Sequence, residues 1–132
     1  MTKTKILVEF SIIGDHFDPL VITNDLSVEP TGYYFKGEKG QWNTEKKETC
    51  WYISSEYVES LYVADVLKKI IDKIQNNRKK LNDLREQFDL TYKFFIDIKI
   101  EEKMIPAIYL DKEIIEFAND IKAELDFDIH IF

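Results

Sequence analysis

The hydrophobic positions of this chain change period several times, and each change marks an element. Ile6, Val8, Phe10 and Ile12 alternate with Leu7, Glu9, Ser11 and Ile13, which predicts a half-buried β-strand at the start. Gly14 stands where that strand must turn, and Asp18-Pro19 reads as a helix start. The carboxylate can accept from a first-turn amide, and proline there gives up only a donor without an intrahelical partner. Leu20, Ile22 and Leu26 are available for burial, and Pro30 holds Glu29 extended, stopping the helix after about two turns. Tyr33, Tyr34 and Phe35 predict a second strand, and Cys50, Trp51, Tyr52 and Ile53 a third, paired as a hairpin. The polar, glycine-punctuated stretch 36–49 between them is expected to be exposed and mobile.

At Val63 the spacing becomes helical: Val63, Val66, Leu67, Ile70, Ile71 and Ile74 recur at three and four, with lysines and Asp72 between them. The stripe continues through Leu81, Leu84 and Phe88, but Asn76-Asn77 should break the helix, because asparagine favours caps and turns. The seven-residue recurrence of Leu67, Ile74, Leu81 and Phe88 is read as packing on a sheet rather than as a coiled-coil seam. Leu90, Tyr92, Phe94, Ile96, Ile98 and Ile100 then alternate without fault and predict the longest strand. Residues 104–110 are expected to form its hairpin partner, short or at an edge because Pro106 cannot donate a ladder bond. Asp111 caps a helix carrying Ile114, Ile115, Phe117, Ala118 and Ile121. A final strand points Leu125, Phe127, Ile129 and Ile131 inward and Asp126, Asp128 and His130 outward, with a place beside the first strand as the simplest closure. The predicted order is β-α-β-β-α-α-β-β-α-β, an α+β fold: a mainly antiparallel sheet of about six strands with helices packed on one face.

Length and charge narrow the function. At 132 residues the chain is expected to be one domain, spanning 1–132, with a core that needs no disulfide or metal staple. A single cysteine, Cys50, suits a reducing compartment. The apolar start is broken by Glu9 and Ser11, and no apolar run approaches the roughly 18 residues of a membrane span, so a cytoplasmic protein is expected. The net charge of −7 disfavours nucleic acid and suits a basic protein partner. Between positions 111 and 128 seven acidic residues face only Lys112 and Lys122, making the C-terminal region the acidic pole.

The candidate sites are few. Asp126, Asp128 and His130 share a strand face and are possible metal ligands, but Asp126 and His130 lie about 13 Å apart along a flat strand, too far for one ion. Asp15, His16 and Asp18 cluster in the entry turn, where a site with His130 is conceivable; turn formation and helix capping account for both aspartates without chemistry. Cys50 beside Trp51 reads as inert packing, and Ser54-Ser55 lacks a nucleophile elbow. Gly37-Glu38-Lys39-Gly40 with nearby aromatics resembles a single-strand RNA clamp only superficially, since its surroundings are not a basic groove. No catalytic residue, metal or cofactor is expected.

Gly14-Asp15-x-Phe17-Asp18-Pro19-x-x-Ile22-Thr23, Leu26 with Pro30, Gly37, Trp51, and the closing Ala107-Ile108-Tyr109-Leu110-Asp111 and Ala123-Glu124-Leu125-Asp126-Phe127-Asp128-Ile129 together resemble the bacterial domain of unknown function family 4279. The resemblance covers nearly the whole chain. It implies a small cytoplasmic α/β domain and brings no established activity, cofactor or catalytic residue. The expected function is therefore binding: an acidic partner, of the immunity type, for a basic toxin domain, through Asp120, Glu124, Asp126 and Asp128, with Trp42 and its loop as a further contact. The alternative is a small metal-assisted or small-molecule enzyme using the Asp15/His16/Asp18 turn. Oligomeric state is not legible in the sequence.

Overall fold

The computed structural model describes residues 3–132. Ten elements follow one another: β1 (Lys5–Gly14), α1 (Pro19–Leu26), β2 (Gly32–Tyr34), β3 (Thr49–Ser54), β4 (Val58–Glu59), α2 (Val63–Ile74), α3 (Arg78–Phe88), β5 (Thr91–Ile100), α4 (Lys112–Asp120) and β6 (Glu124–Ile131). The strands make one mixed, mostly antiparallel sheet in the order β2-β3-β1-β5-β6, with β4 pairing the start of β1. The fold is α+β, and the helices pack on one face of this sheet.

The alternation in β1 and β5 decides which face is dry. Ile6, Val8, Phe10 and Ile12 stand directly beside Ile98, Ile96, Phe94 and Tyr92, all are buried, and the apolar stripes of α2 and α3 cover them. Hydrophobic side chains of this size contribute about 1.5–3 kcal/mol each on full burial, so the β1–β5 pair under α2 is the centre of stability. The 3₁₀ turn Gln75–Asn77 separates α2 from α3, as the asparagines predict.

The caps form as the sequence specifies. Asp18 accepts from the Leu20 amide at 3.0 Å, and Asp111 accepts from the Ile114 amide at 3.0 Å. Lys68 pairs with Asp111 and, with that amide, holds its carboxyl below the usual carboxylate range. Gly14 is required by close approach: a Cβ there would lie 2.7 Å from Leu90 Cδ2.

Several expectations fail, for physical reasons. Residues 104–110 form no hairpin with β5, because β1 and β6 already occupy both of its edges. Glu102 and Lys103 adopt left-handed backbone and redirect the segment beneath the sheet end, where it makes a single bridge, Tyr62 to Ala107. The last strand does not join β1; the crossover through α4 returns it parallel to β5, the connection that β-α-β geometry favours. Of the four β6 residues expected to point inward, only Leu125 and Phe127 are half-buried, while Ile129 and Ile131 are exposed. Leu20, on the outer side of α1, is likewise exposed. The 36–49 stretch is exposed but tied back on itself, with Gly37 and Lys46 linked through Gly37 N–H to Lys46 O and Lys46 N–H to Glu38 O, both at 2.8 Å.

Among the described residues no helix is long and apolar enough to cross a membrane.

Candidate functional site

Because helices cover one side only, the other side of the sheet is a face of its own, and strand register shows what it carries. Leu7, Glu9 and Ser11 of β1 stand opposite Asp97, Phe95 and Lys93 of β5. Those three in turn align with Asp128, Asp126 and Glu124 of β6. Across the other edge, Ile13 pairs with Cys50, and Tyr52 with Ser11. Leu7, Ile13, Tyr34, Tyr52 and Phe95 are half-buried on this face, with Glu9 and Ser11 between Leu7 and Ile13 on the central strand β1. The carboxylate of Glu9 is therefore central, and those of Glu59, Asp97, Glu124, Asp126 and Asp128 lie on the flanking strands, against Lys5, Lys93 and Lys99.

Burial pushes the Glu9 carboxyl up from its usual value, partly offset by the hydrogen bond it accepts from Ser11 Oγ at 2.9 Å. A carboxylate held in a half-dry site gains when a cation approaches, since the cation replaces lost hydration. Cys50 lies in the same region, but burial pushes its thiol up to about 11, so it is neutral and unreactive at physiological pH.

The acidic residues singled out by sequence divide between two surfaces. Glu124, Asp126 and Asp128 share the open face. Asp120 belongs to the helix layer and is paired with Arg78, so it is no part of that surface. Glu124 is partly satisfied by Lys93 at 3.7 Å, which leaves Asp126 as the acidic group of this strand without an ion-pair partner among the described residues. Trp42 is 92% exposed on left-handed backbone at the tip of the β2–β3 loop, about 19 Å across the four strand spacings that separate β2 from β6.

The entry turn does not gather a site. Asp15 turns toward Lys36 at 3.5 Å, and Asp18 is committed to α1. His16 lines a shallow cleft of about 400 Å³ with Gly14, Asp15, Glu48, Asp89 and Thr91. His130 aligns with Lys99, eight residues along β5 from Thr91, or about 26 Å. The two imidazoles therefore cannot share a ligand. His130 instead meets Asp97 and Asp128, and Asp97 is a residue that sequence reasoning passed over. It sits on the outward positions of β5, whose inward positions carried the strand prediction.

A model of the family described as Domain of unknown function (DUF4279) matches residues 2–132. The chain belongs to the DUF4279 family. Searches of curated proteins and of solved structures each found no match. Membership of DUF4279 agrees with the resemblance in the entry turn and the closing strand, and it carries no function with it. The entry-turn motif has a structural role in this DUF4279 chain, with Gly14 packed on Leu90 and Asp18 capping α1.

Proposed function

We propose that this DUF4279 chain is a non-catalytic interaction module that takes a basic protein partner on the uncovered face of its sheet, as an immunity-type protein would take a basic toxin domain. The observation that carries the reading is the composition of that face. An antiparallel sheet can leave one side to water when that side is polar; here half-buried Leu7, Ile13, Phe95, Tyr34 and Tyr52 are interleaved with Glu9, Ser11, Lys93 and Asp97. Apolar side chains mixed with charge make up many docking sites, and the charge here is mainly acidic. The net charge of −7 draws a basic partner from a distance, while the raised Glu9 carboxyl gains most once the partner arrives. The enzyme alternative has less support: Asp15 and His16 line one shallow cleft, but Asp15 is paired with Lys36 and Asp18 is committed to capping α1.

The test is capture of partners from cells that carry the gene, using the tagged full chain and Phe95→Asp in parallel. Wild-type chain should retain a basic protein that 0.5 M salt releases, by screening at a Debye length of roughly 4 Å. Phe95→Asp should lose it. Retention of the same protein by Phe95→Asp, or capture that is indifferent to salt, would contradict the reading.

A further inference from the structure

The parallel pairing of β5 with β6 sets Asp97 directly beside Asp128, and Lys99 beside His130. His130 lies two residues beyond Asp128, on the same open face. Its Nε2 stands 3.2 Å from Asp128 Oδ2 and 3.4 Å from Asp97 Oδ1. One donor atom from each of the three residues falls within 4.8 Å of the others.

A proton on Nε2 would have to be shared to account for this convergence. Nε2 carries at most one hydrogen, whereas two carboxylate oxygens approach it. Asp97 Oδ1 is shut off from solvent and has no hydrogen-bond partner, and a buried acceptor left unsatisfied costs about 1–3 kcal/mol. A cation between the three groups would satisfy all of them at once. Two of the three edges suit one: metal–donor distances of about 2.0–2.2 Å in tetrahedral geometry put neighbouring donors roughly 3.3–3.6 Å apart, close to the two distances from His130, while the carboxylate pair, within 4.8 Å, would close on the ion.

We propose that Asp97, Asp128 and His130 form a binding site for a single divalent metal ion of the zinc class on the open face of the sheet. Imidazole with two carboxylates suits borderline ions such as Zn²⁺ or Co²⁺, while Ca²⁺ and Mg²⁺ favour six or more oxygen ligands. Three protein ligands leave the fourth position open, toward the cleft of about 320 Å³ lined by Phe95, Asp97, Asp126 and Asp128. Two adjacent strands hold the ligands in register, so the site exists before the ion arrives. Tyr57 and Lys99 flank it, with the Lys99 ammonium 4.2 Å from the centre of the Tyr57 ring rather than inserted between the ligands. The site shares a face with the proposed docking surface but does not rest on that reading, because metal binding is read on the isolated chain.

The experiment is equilibrium dialysis of chelator-treated full chain against Zn²⁺, with metal content measured afterwards. One zinc per chain is expected, with no corresponding uptake of Mg²⁺ or Ca²⁺. Asp97→Asn, Asp128→Asn and His130→Gln should each weaken binding by more than about tenfold, the least that loss of even an outer-shell partner commonly costs. Asp126→Asn and His16→Gln should bind as wild type does. Absence of saturable zinc on the wild-type chain overturns the proposal outright, without reference to any variant. Undiminished binding by His130→Gln, or equal loss in His16→Gln, overturns the assignment of ligands.

Discussion

Trp51→Ala should destabilise the protein by about 3–5 kcal/mol, the usual cost of emptying a buried aromatic site. Trp51 is fully buried in β3, between Ile12 of β1 and Tyr33 of β2 in the ladder. Its indole N–H donates to Thr23 Oγ1 at 3.0 Å, so one side chain fastens α1 to the sheet. The alanine variant leaves a cavity beside Ile22 and Leu26, the buried positions of α1. It also frees Thr23 from its tether. Trp51→Phe keeps much of the volume and should cost less, separating packing from the hydrogen bond. Urea unfolding followed by circular dichroism measures both. A loss under about 1 kcal/mol for Trp51→Ala would mean that α1 is held by something else.

Neutralising the open-face carboxylates of β6 should act on the rate of partner association. In chelator-treated chain, the triple change Glu124→Gln, Asp126→Asn, Asp128→Asn removes three negative charges from one strand face. Steering by charge raises association rates by about 10–10³-fold at low ionic strength, so association with the captured basic partner should slow by about tenfold. Dissociation should change less, because apolar contacts outlast the encounter. Asp120→Asn is the contrast: it breaks the pair with Arg78 on the helix layer and should leave association nearly unchanged. Stopped-flow mixing at two salt concentrations reads all three chains. Equal rates for the triple variant and wild type would remove β6 from the docking surface.

Much of the architecture is legible in the sequence because local chemistry and long-range packing agree. Asp18-Pro19 can start a helix, and it does. The break at Asn76-Asn77 follows from residues that resist a continuous helix. The faultless alternation of β5 could only make a strand buried on one side. What the sequence hides is pairing. Residues 104–110 have enough β-forming residues to suggest a hairpin, and only the prior occupation of both β5 edges excludes it. The same missing information concealed the Asp97 cluster. Alternation places Asp97 outward on β5 and Asp128 with His130 outward on β6, yet nothing local says that a parallel crossover sets them side by side. Asp126 and His130 do lie too far apart along one strand; the group that joins Asp128 and His130 comes from the neighbouring strand.

The candidate surface was half legible for a related reason. Counting charges finds Glu124, Asp126 and Asp128, but it also gathers Asp120, whose helical position turns it away from them. Leu7 and Phe95 look like ordinary off-phase apolar residues in long strands. They become a surface only when the two strands pair and no helix covers that side.

The most direct test places a photo-crosslinking phenylalanine analogue at position 95, on the open face, and in a second chain at position 115, exposed on α4. Irradiation in cells should join a basic protein to the chain carrying the probe at 95, and the adduct should disappear from the one carrying it at 115. Adducts formed at 115 alone, or at neither position while the tagged chain still retains its partner, would place recognition elsewhere than on the uncovered sheet.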